Sequence, residues 1–330
     1  MGMKWALVGA STIAREWMLP AIRAVGDEVV AVVSGDLARA RAWAQQAGIA
    51  HATDDMAGLT DWGVQAVYIS STNDKHEAQT LAAAAMGMHV LCEKPLATGL
   101  DAARRMVAAC AQAKVTLATN HHLRHNSAHL QMRQAIAAGE LGAIVALRLT
   151  HSVYLPEHLQ GWRLRDGHAG GGVVLDIAVH NADSVAFLLG EYPTEVCAMV
   201  SHTGLAQGLE DNAMSVWRMP SGVLVSTHQG FNTPHAEVAL EVHGTQASLL
   251  GQGVLHQGPC GQLLRRDAQG QRAVALDQHN LYERVVRHFH LAMAGQPNDV
   301  ATGEHGYRSL AVALAVLRSA SEGKTVAVAA

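Results

Sequence analysis

Residues 4–16 read KWALVGASTIARE, and this stretch is the most informative part of the chain about its fold. The apolar run Trp5–Val8 predicts a buried strand, Gly9 predicts a tight turn, and helix-forming residues follow. The N–H groups that begin a helix bind anions, so this arrangement suits the pyrophosphate of a dinucleotide. The fingerprint G-x-G-x-x-G/A is met by Gly9 and Ala14, but Ser11 replaces its second glycine. The Ser11 side chain either obstructs the close approach of the backbone to a phosphate group or donates its hydroxyl to that phosphate. The alternative to a dinucleotide site is an ordinary buried strand, turn and helix that binds no ligand.

Length and composition narrow the classes of protein to consider. A chain of 330 residues is longer than one average domain, so two domains are expected. The apolar fraction of 49% and the net charge of -4 favour a compact globule with no general attraction to nucleic acid or anionic membranes. No apolar run reaches the roughly 18–20 residues of a membrane helix, and the N-terminal apolar segment predicts a first strand, not a secretion signal. The scattered cysteines, which suit a reducing cytoplasm, are Cys92, Cys110, Cys197 and Cys260.

Strand-like and helix-like segments alternate up to about residue 120, which predicts βαβ units and a parallel sheet covered on both faces. The strands expected there are Val29–Ser34, Val64–Ser71, His89–Cys92 and Val115–Thr119; the helices are Leu37–Ala47, His76–Met86 and Leu100–Ala113. The second half predicts a largely antiparallel sheet with one buried face, plus helices near 173–189 and 307–321. Its strands are Val145–Tyr154, Thr194–His202, Asn212–Met219, Val223–Gly230 and Ala236–His243. We therefore predict an α/β protein with a dinucleotide-binding domain at 1–121 and a substrate domain at 122–330.

The end of the second predicted strand bears on which nucleotide is bound. NAD-binding domains carry an Asp or Glu there that accepts from the ribose 2′-hydroxyl, whereas this chain has Ser34 and Gly35. Neutral Ser34 does not repel a 2′-phosphate, and Arg39 is placed to pair with one. Asp36 argues against a preference for a nucleotide with a 2′-phosphate. The alternative for Arg39 and Arg41 is that they form a solvated helix face.

Glu93-Lys94-Pro95 directly follows a predicted strand. The carboxyl ends of parallel strands face the ligand crevice of a doubly wound sheet, so Lys94 is a candidate active-site cation. Pro95 restricts the conformation of Lys94 and thereby the direction of its ammonium group. A surface lysine beside a loop proline is the alternative.

Three glycines at 170–172 precede a predicted helix that carries Asp176, His180 and Asp183. Their spacing of four and three residues places them on one helical stripe. In an otherwise apolar helix this stripe either faces a cleft or buries charge at a cost. Histidine side chains in general titrate near neutrality, and a neighbouring carboxylate would orient His180 for proton transfer. A core histidine satisfied by Asp176 is the alternative.

Gly9–Ala14, Glu93-Lys94-Pro95 and the pattern G-G-x-x-x-D-x-x-x-H at 171–180 together resemble the Gfo/Idh/MocA family of sugar oxidoreductases, from residue 4 to the C-terminal helix. The resemblance implies a Rossmann domain followed by an α/β domain with an open sheet, NADP(H) as cofactor, and reduction of the ketone of a cyclic keto sugar. It implies catalytic roles for Lys94 and His180, with Asp176 joining them at the substrate. The cofactor contacts expected on this reading are Gly9, Ala10, Ser11, Thr12, Ile13, Ala14, Ser34, Gly35, Arg39, Ser71, Thr72, Asn73, His76, Glu93, Lys94, Asn120, Trp162, Arg163 and Tyr282.

Other readings remain open at this stage. A family member that oxidises a pyranose or inositol is one rival, and a nucleotide-sensing regulator without turnover is another. The presence of both Lys94 and His180 disfavours the regulator, because a sensor needs no acid–base pair. His121, His125 and His129 have helical spacing, but no Cys or carboxylate completes a ligand set, so we expect no metal. A monomer or a homodimer acting on a small sugar is expected.

Overall fold

The computed structural model describes residues 2–329. The chain forms two compact units. The first runs up to His121 and also includes Tyr282–Tyr307; the second comprises His122–Leu281 and the residues from Arg308 onward. The segment Tyr282–Tyr307 therefore packs with the N-terminal residues despite its distance from them in the sequence.

The strands, in chain order, are β1 (Lys4–Val8), β2 (Glu28–Val33), β3 (His51–Thr53), β4 (Ala66–Ile69), β5 (His89–Cys92), β6 (Leu117–Thr119), β7 (Ile144–Ser152), β8 (Glu195–Ser201), β9 (Asn212–Arg218), β10 (Leu224–Gly230), β11 (Ala239–Gly244), β12 (Ser248–Gln252), β13 (Gln262–Asp267), β14 (Gly270–Val274), β15 (Ala301–Thr302) and β16 (Val326–Ala327). The α-helices are α1 (Leu19–Ala24), α2 (Leu37–Ala47), α3 (His76–Ala85), α4 (Leu100–Gln112), α5 (Ser127–Ala137), α6 (Glu157–Gln160), α7 (Val179–Leu189), α8 (Leu281–Met293) and α9 (Gly303–Glu322).

The first unit contains a sheet of strand order β15-β6-β5-β4-β1-β2-β3 among the described residues. All neighbouring strands are parallel except β15, which pairs antiparallel with β6. Residues Trp5–Val8 of β1 are fully buried, as expected of a central strand covered on both faces. The strand order reverses between β1 and β4, and ligands of doubly wound sheets bind beside such a point, outside the carboxyl ends of the strands.

Helix α8 completes the core of the first unit. The Phe289 ring lies 5.4 Å from the Trp5 ring, centroid to centroid. The buried Asp27 carboxylate accepts from Trp5 Nε1 at 2.9 Å and contacts His290 Nε2 at 2.7 Å. This polar tie and the aromatic contact hold α8 against the first strand.

The second unit contains a sheet of order β14-β13-β12-β11-β7-β10-β9-β8-β16 within residues 2–329. Its pairings are antiparallel except between β7 and β10. In β9, buried Ala213, Ser215 and Trp217 alternate with less buried neighbours, the period-2 pattern of a sheet with one covered face. Helix α7 is buried along most of its length and packs against α5 and β7.

The predicted fold class is confirmed: an α/β protein with a Rossmann sheet and a second, mostly antiparallel sheet. Local sequence pattern does not distinguish β3, α5, α8 or the hairpins formed by β12–β14 from the segments around them. Among the described residues, no helix is both long and apolar enough to cross a lipid bilayer.

Candidate active site

The turn after β1 can be formed only by glycine. Gly9 has a φ of 110°, and a Cβ on it would lie 2.6 Å from the backbone nitrogen of Ser71 and 2.7 Å from the carbonyl carbon of Ser70. Its backbone therefore lies directly against the loop that follows β4. Helical residues begin at Thr12, and Ser11 Oγ accepts from the Ala14 N–H at 3.2 Å.

The Ser11 hydroxyl is thus engaged with the protein. It caps the helix start and lies 2.7 Å from the Ser70 hydroxyl, which links the loops after β1 and β4. Thr12 is exposed and Ile13 is half-buried, whereas Ala10 and Ala14 are buried. A small residue at position 14 suits the close packing of helix on strand that the fingerprint requires.

Asp36 and Arg39 have separate tasks at the end of β2. Asp36 is the N-cap of α2, and its Oδ1 accepts from the N–H groups of Ala38 at 2.9 Å and Arg39 at 3.1 Å. The Arg39 guanidinium donates from Nη2 to the Ala10 carbonyl oxygen at 2.7 Å. The Arg39 guanidinium is therefore held beside the glycine turn. The Asp36 carboxylate, the first after β2, is hydrogen-bonded to the N-terminus of α2. Ser34 is half-buried, and Gly35 is exposed.

The loop after β4 carries Ser71, Thr72, Asn73 and His76. The Ser71 hydroxyl donates to Gln79 Oε1 at 2.6 Å, Thr72 is half-buried, and Asn73 is buried. The fully buried His76 ring lies between two carbonyl oxygens, with Nδ1 3.0 Å from that of Pro95 and Nε2 3.3 Å from that of Ser71. Burial lowers its pKa. His76 thus ties this loop to the residue after Lys94.

Three donors converge on the Glu93 carboxylate, at the carboxyl end of β5. The hydroxyl of Tyr68 and Nδ2 of Asn120 each donate to Oε1 at 2.5 Å, and the Lys94 N–H donates to Oε2 at 3.2 Å. Burial, with the nearby Glu93 charge, raises the pKa of Tyr68 well above its usual value, so Tyr68 stays a donor. Lys94 is half-buried, and its peptide bond to Pro95 is cis. The hydrogen bond from the Lys94 N–H to Glu93 holds the backbone that carries the Lys94 ammonium group.

Tyr282 also belongs to the first unit. Its ring is fully buried and stacks on Trp17 at 5.4 Å between centroids with a 25° interplanar angle. All predicted cofactor residues except Trp162 and Arg163 lie in this unit.

The second unit gathers Trp162 and Arg163 with Asp176. Arg163 Nε lies 3.6 Å from Asp176 Oδ2, and its guanidinium lies 4.6 Å from the centroid of the Trp162 ring. Asp176 occupies a π-helical turn, Val174–Ala178, that leads directly into α7. Such turns displace later side chains relative to a regular α-helix and are frequent at functional sites.

His180 lies among other imidazoles. The His122 ring meets it edge to face at 5.3 Å between centroids, and the His151 ring lies 5.9 Å away. All three rings are buried. A histidine at the end of a strand gave no signal of its own in the sequence, so His151 was not among the predicted site residues.

Asp183, predicted on the same stripe as Asp176 and His180, is engaged elsewhere. Its two oxygens accept from Arg124 Nε at 2.8 Å and Nη2 at 2.7 Å. Only 5% of the Arg124 side chain and 1% of the Asp183 side chain are exposed. The stripe was expected either to face a cleft or to bury charge. Asp183 follows the second alternative, because it is buried and paired with Arg124.

The remaining histidines of the 121–129 segment are packed inside. His122–His125 forms a 3₁₀ turn and α5 begins only at Ser127, so His121, His125 and His129 do not share one helix face. Burial lowers the pKa of His129 to about 4. Within residues 2–329, no group of three or more His, Cys, Asp or Glu side chains is arranged to hold a metal ion.

Comparison with known proteins agrees with this architecture. Residues 3–121 match the oxidoreductase family with an NAD-binding Rossmann fold, and residues 129–250 match the GFO/IDH/MocA C-terminal domain. The chain belongs to the GFO/IDH/MocA oxidoreductase family. It is 49% identical to the 1,5-anhydro-D-fructose reductase of Ensifer adhaerens over 97% of both chains. It is 32% identical to D-xylose 1-dehydrogenase (NADP(+)) 2 of Haloferax volcanii over 71% of both chains.

The aldose-aldose oxidoreductase of Caulobacter crescentus, solved with glycerol, has the same fold. Its TM-score is 0.90 at 22% identity, with 99% of this chain and 100% of that chain covered. As a member of this family, the protein is an oxidoreductase with a nicotinamide-dinucleotide-binding domain.

Proposed function

We propose that the protein reduces the ketone of 1,5-anhydro-D-fructose to the alcohol of 1,5-anhydro-D-mannitol, with NADPH as reductant, in the cytoplasm. The observation that carries the proposal is the 49% identity to a 1,5-anhydro-D-fructose reductase over nearly the whole of both chains. The four free cysteines are consistent with a reducing compartment.

The residues at the switch point of the first sheet fit a dinucleotide. Gly9 leaves no room for a side chain against the Ser70–Ser71 backbone, and the helix that begins at Thr12 presents its first N–H groups at this turn. The choice of NADPH over NADH rests on Arg39 and Asp36. Arg39 is fixed beside the turn and offers a charge for a 2′-phosphate, while Asp36 caps α2 instead of remaining available for a ribose hydroxyl.

NADPH, when bound, supplies the hydride that the carbonyl carbon of the substrate accepts. Negative charge then develops on the carbonyl oxygen, and the Lys94 ammonium group stabilises it electrostatically. His180 donates the proton that completes the alcohol. Asp176 accepts hydrogen bonds from substrate hydroxyls. Glu93, held by Tyr68 and Asn120, keeps the backbone before Lys94 in place.

The decisive experiment is a panel of substrates scored for NADPH oxidation, with the product identified by NMR. The panel should contain 1,5-anhydro-D-fructose and other cyclic keto sugars, with D-xylose and myo-inositol tested in the oxidative direction with NADP⁺ and NAD⁺. We expect the highest kcat/KM for 1,5-anhydro-D-fructose. A clear preference for xylose or inositol oxidation would replace the proposal by the dehydrogenase alternative, and tight NADPH binding without turnover of any sugar would favour the regulator.

A further inference from the structure

The Glu210 carboxylate lies against Gly172, in the glycine-rich segment that leads into the helix with Asp176 and His180. Gly172 has a φ of 101°, and a Cβ on it would lie 2.2 Å from Glu210 Oε1 and 2.8 Å from Oε2. The carboxylate therefore fills the space that a side chain at position 172 would need. This close approach explains why position 172 is a glycine.

Glu210 also satisfies the first N–H groups of this helix. Its side-chain Oε1 accepts from the Val174 N–H at 3.1 Å, and its backbone oxygen accepts from the Val173 N–H at 3.0 Å. The N-terminal N–H groups of a helix have no partner within the helix, so these bonds define where the helix begins. Glu210 is 8% exposed, and burial raises the pKa of its carboxyl group.

The same segment fastens the loop that carries Trp162 and Arg163. The Gly172 N–H donates to the Arg163 carbonyl oxygen at 2.8 Å. A Cβ on Gly171 would lie 2.8 Å both from the Trp162 carbonyl oxygen and from a methyl carbon of Leu209, the residue before Glu210. The glycine entry is thus enclosed by the Arg163 loop and the 209–210 segment.

Asp211, the next residue, anchors this segment in turn. Its carboxylate accepts from the backbone N–H groups of Thr203, Leu205 and Ala206 at 2.7, 2.9 and 3.1 Å, and from the Thr203 hydroxyl at 2.9 Å. Although burial acts in the opposite direction, these donors lower the pKa of Asp211. These four hydrogen bonds join the residue after Glu210 to the 203–206 segment, so the loop before β9 supports Glu210.

We propose that Glu210 is a positioning residue for the reductase reaction: by filling the space over Gly172 and capping the Val174 N–H, it fixes Asp176 against Arg163 and sets the start of the helix that carries His180. This inference rests on the proposed function. Glu210 needs no contact with substrate, because Asp176 lies only two residues beyond the N–H that it holds.

The test compares Glu210→Gln, Glu210→Asp and Glu210→Ala with wild-type protein in steady-state reduction of 1,5-anhydro-D-fructose by NADPH. Glutamine keeps an oxygen at the same reach, so we expect kcat/KM within about threefold of wild type. Aspartate keeps the carboxyl group but shortens the side chain by one methylene, and alanine removes the acceptor. Both should lower kcat/KM about 10- to 100-fold, the scale of small displacements at an active site. The stoichiometry of NADPH binding should stay unchanged in all variants.

Glu191→Ala is the matched control. Glu191 accepts from the Ser221 N–H at 3.2 Å and from the Ser221 hydroxyl, so it also holds a loop of the second unit, but away from the glycine entry. Its kcat/KM should equal that of wild type. If Glu210→Ala does not fold, the contrast between glutamine and aspartate still decides the question.

An independent readout is hydrogen exchange of the Val174 amide, which should become faster in Glu210→Asp and Glu210→Ala but not in Glu210→Gln. Unchanged kcat/KM in the aspartate and alanine variants, or an active aspartate variant beside an inactive glutamine variant, would overturn the inference. A wild-type protein that does not reduce 1,5-anhydro-D-fructose would instead overturn the proposed function, and the exchange rate at Val174 would then decide on the role of Glu210.

Discussion

Arg39→Ala should weaken NADPH binding and leave NADH binding nearly unchanged. The guanidinium donates to the Ala10 carbonyl oxygen at 2.7 Å, which places its charge beside the glycine turn. A hydrogen bond to a charged group contributes about 1.5–3 kcal/mol. Arg39 is exposed, so solvent and salt screen the interaction, and we expect a loss of about 1–2 kcal/mol. At about 1.4 kcal/mol for each factor of ten, this corresponds to roughly a 5- to 30-fold higher Kd for NADPH.

The assay titrates wild type, Arg39→Ala and Arg41→Ala with NADPH and with NADH. Binding is measured by calorimetry or by tryptophan fluorescence. Arg41 lies on the same helix and is also exposed, so Arg41→Ala controls for the general loss of one positive charge. The difference between the two nucleotides should shrink as salt is raised, because the contact is exposed.

Equal losses for NADPH and NADH would refute the reasoning. Such a result would mean that Arg39 acts only by holding the Ala10 carbonyl, since both nucleotides need the glycine turn. No loss for either nucleotide would leave Arg39 as a solvated residue of the α2 surface.

Three further predictions concern chemistry, metal and stability. Lys94→Ala and His180→Ala should each lower turnover by about 10²–10⁴ while NADPH still binds. The double variant should lose less than the product of the two single losses, because the proposed mechanism has both groups act on one developing oxyanion; near-normal turnover of either folded single variant would exclude the assignment. Exhaustive chelation should leave turnover unchanged, because the described part of the chain holds no candidate metal cluster; a loss that added zinc restores would contradict this. Asp183→Asn should lower the free energy of unfolding in denaturant titrations by about 3–5 kcal/mol, because it leaves the Arg124 charge buried without a charged partner. As a control, Glu195→Gln in an exposed ion pair should lower the free energy of unfolding by less than about 1 kcal/mol. Equal losses in the two variants would show that burial is not the cause.

Local pattern was sufficient for much of the first unit. Strand alternation and the glycine at position 9 predicted a parallel sheet with a dinucleotide turn, because these features depend on residues close together in sequence. The same holds for α2, whose bounds Leu37–Ala47 agree with the prediction. In contrast, three-residue β3 is too short to show a period, and α8 was not recognised although it completes the core around Trp5.

Periodicity and turn residues indicated the α/β class and the glycine turn, and their places at a strand end and on a helix made Lys94 and His180 candidate site residues. The catalytic roles of these two residues are implied by the family resemblance and stay predictions. Contacts between side chains that are distant in sequence became visible in the folded chain: Tyr68 with Glu93, Asp183 with Arg124, and Glu210 with the glycine entry. The physical reason is that these contacts join separate elements, whose alignment follows from packing and not from local period. A π-helical turn at Val174–Ala178 adds to this limit, because it alters the helix faces that regular spacing predicts.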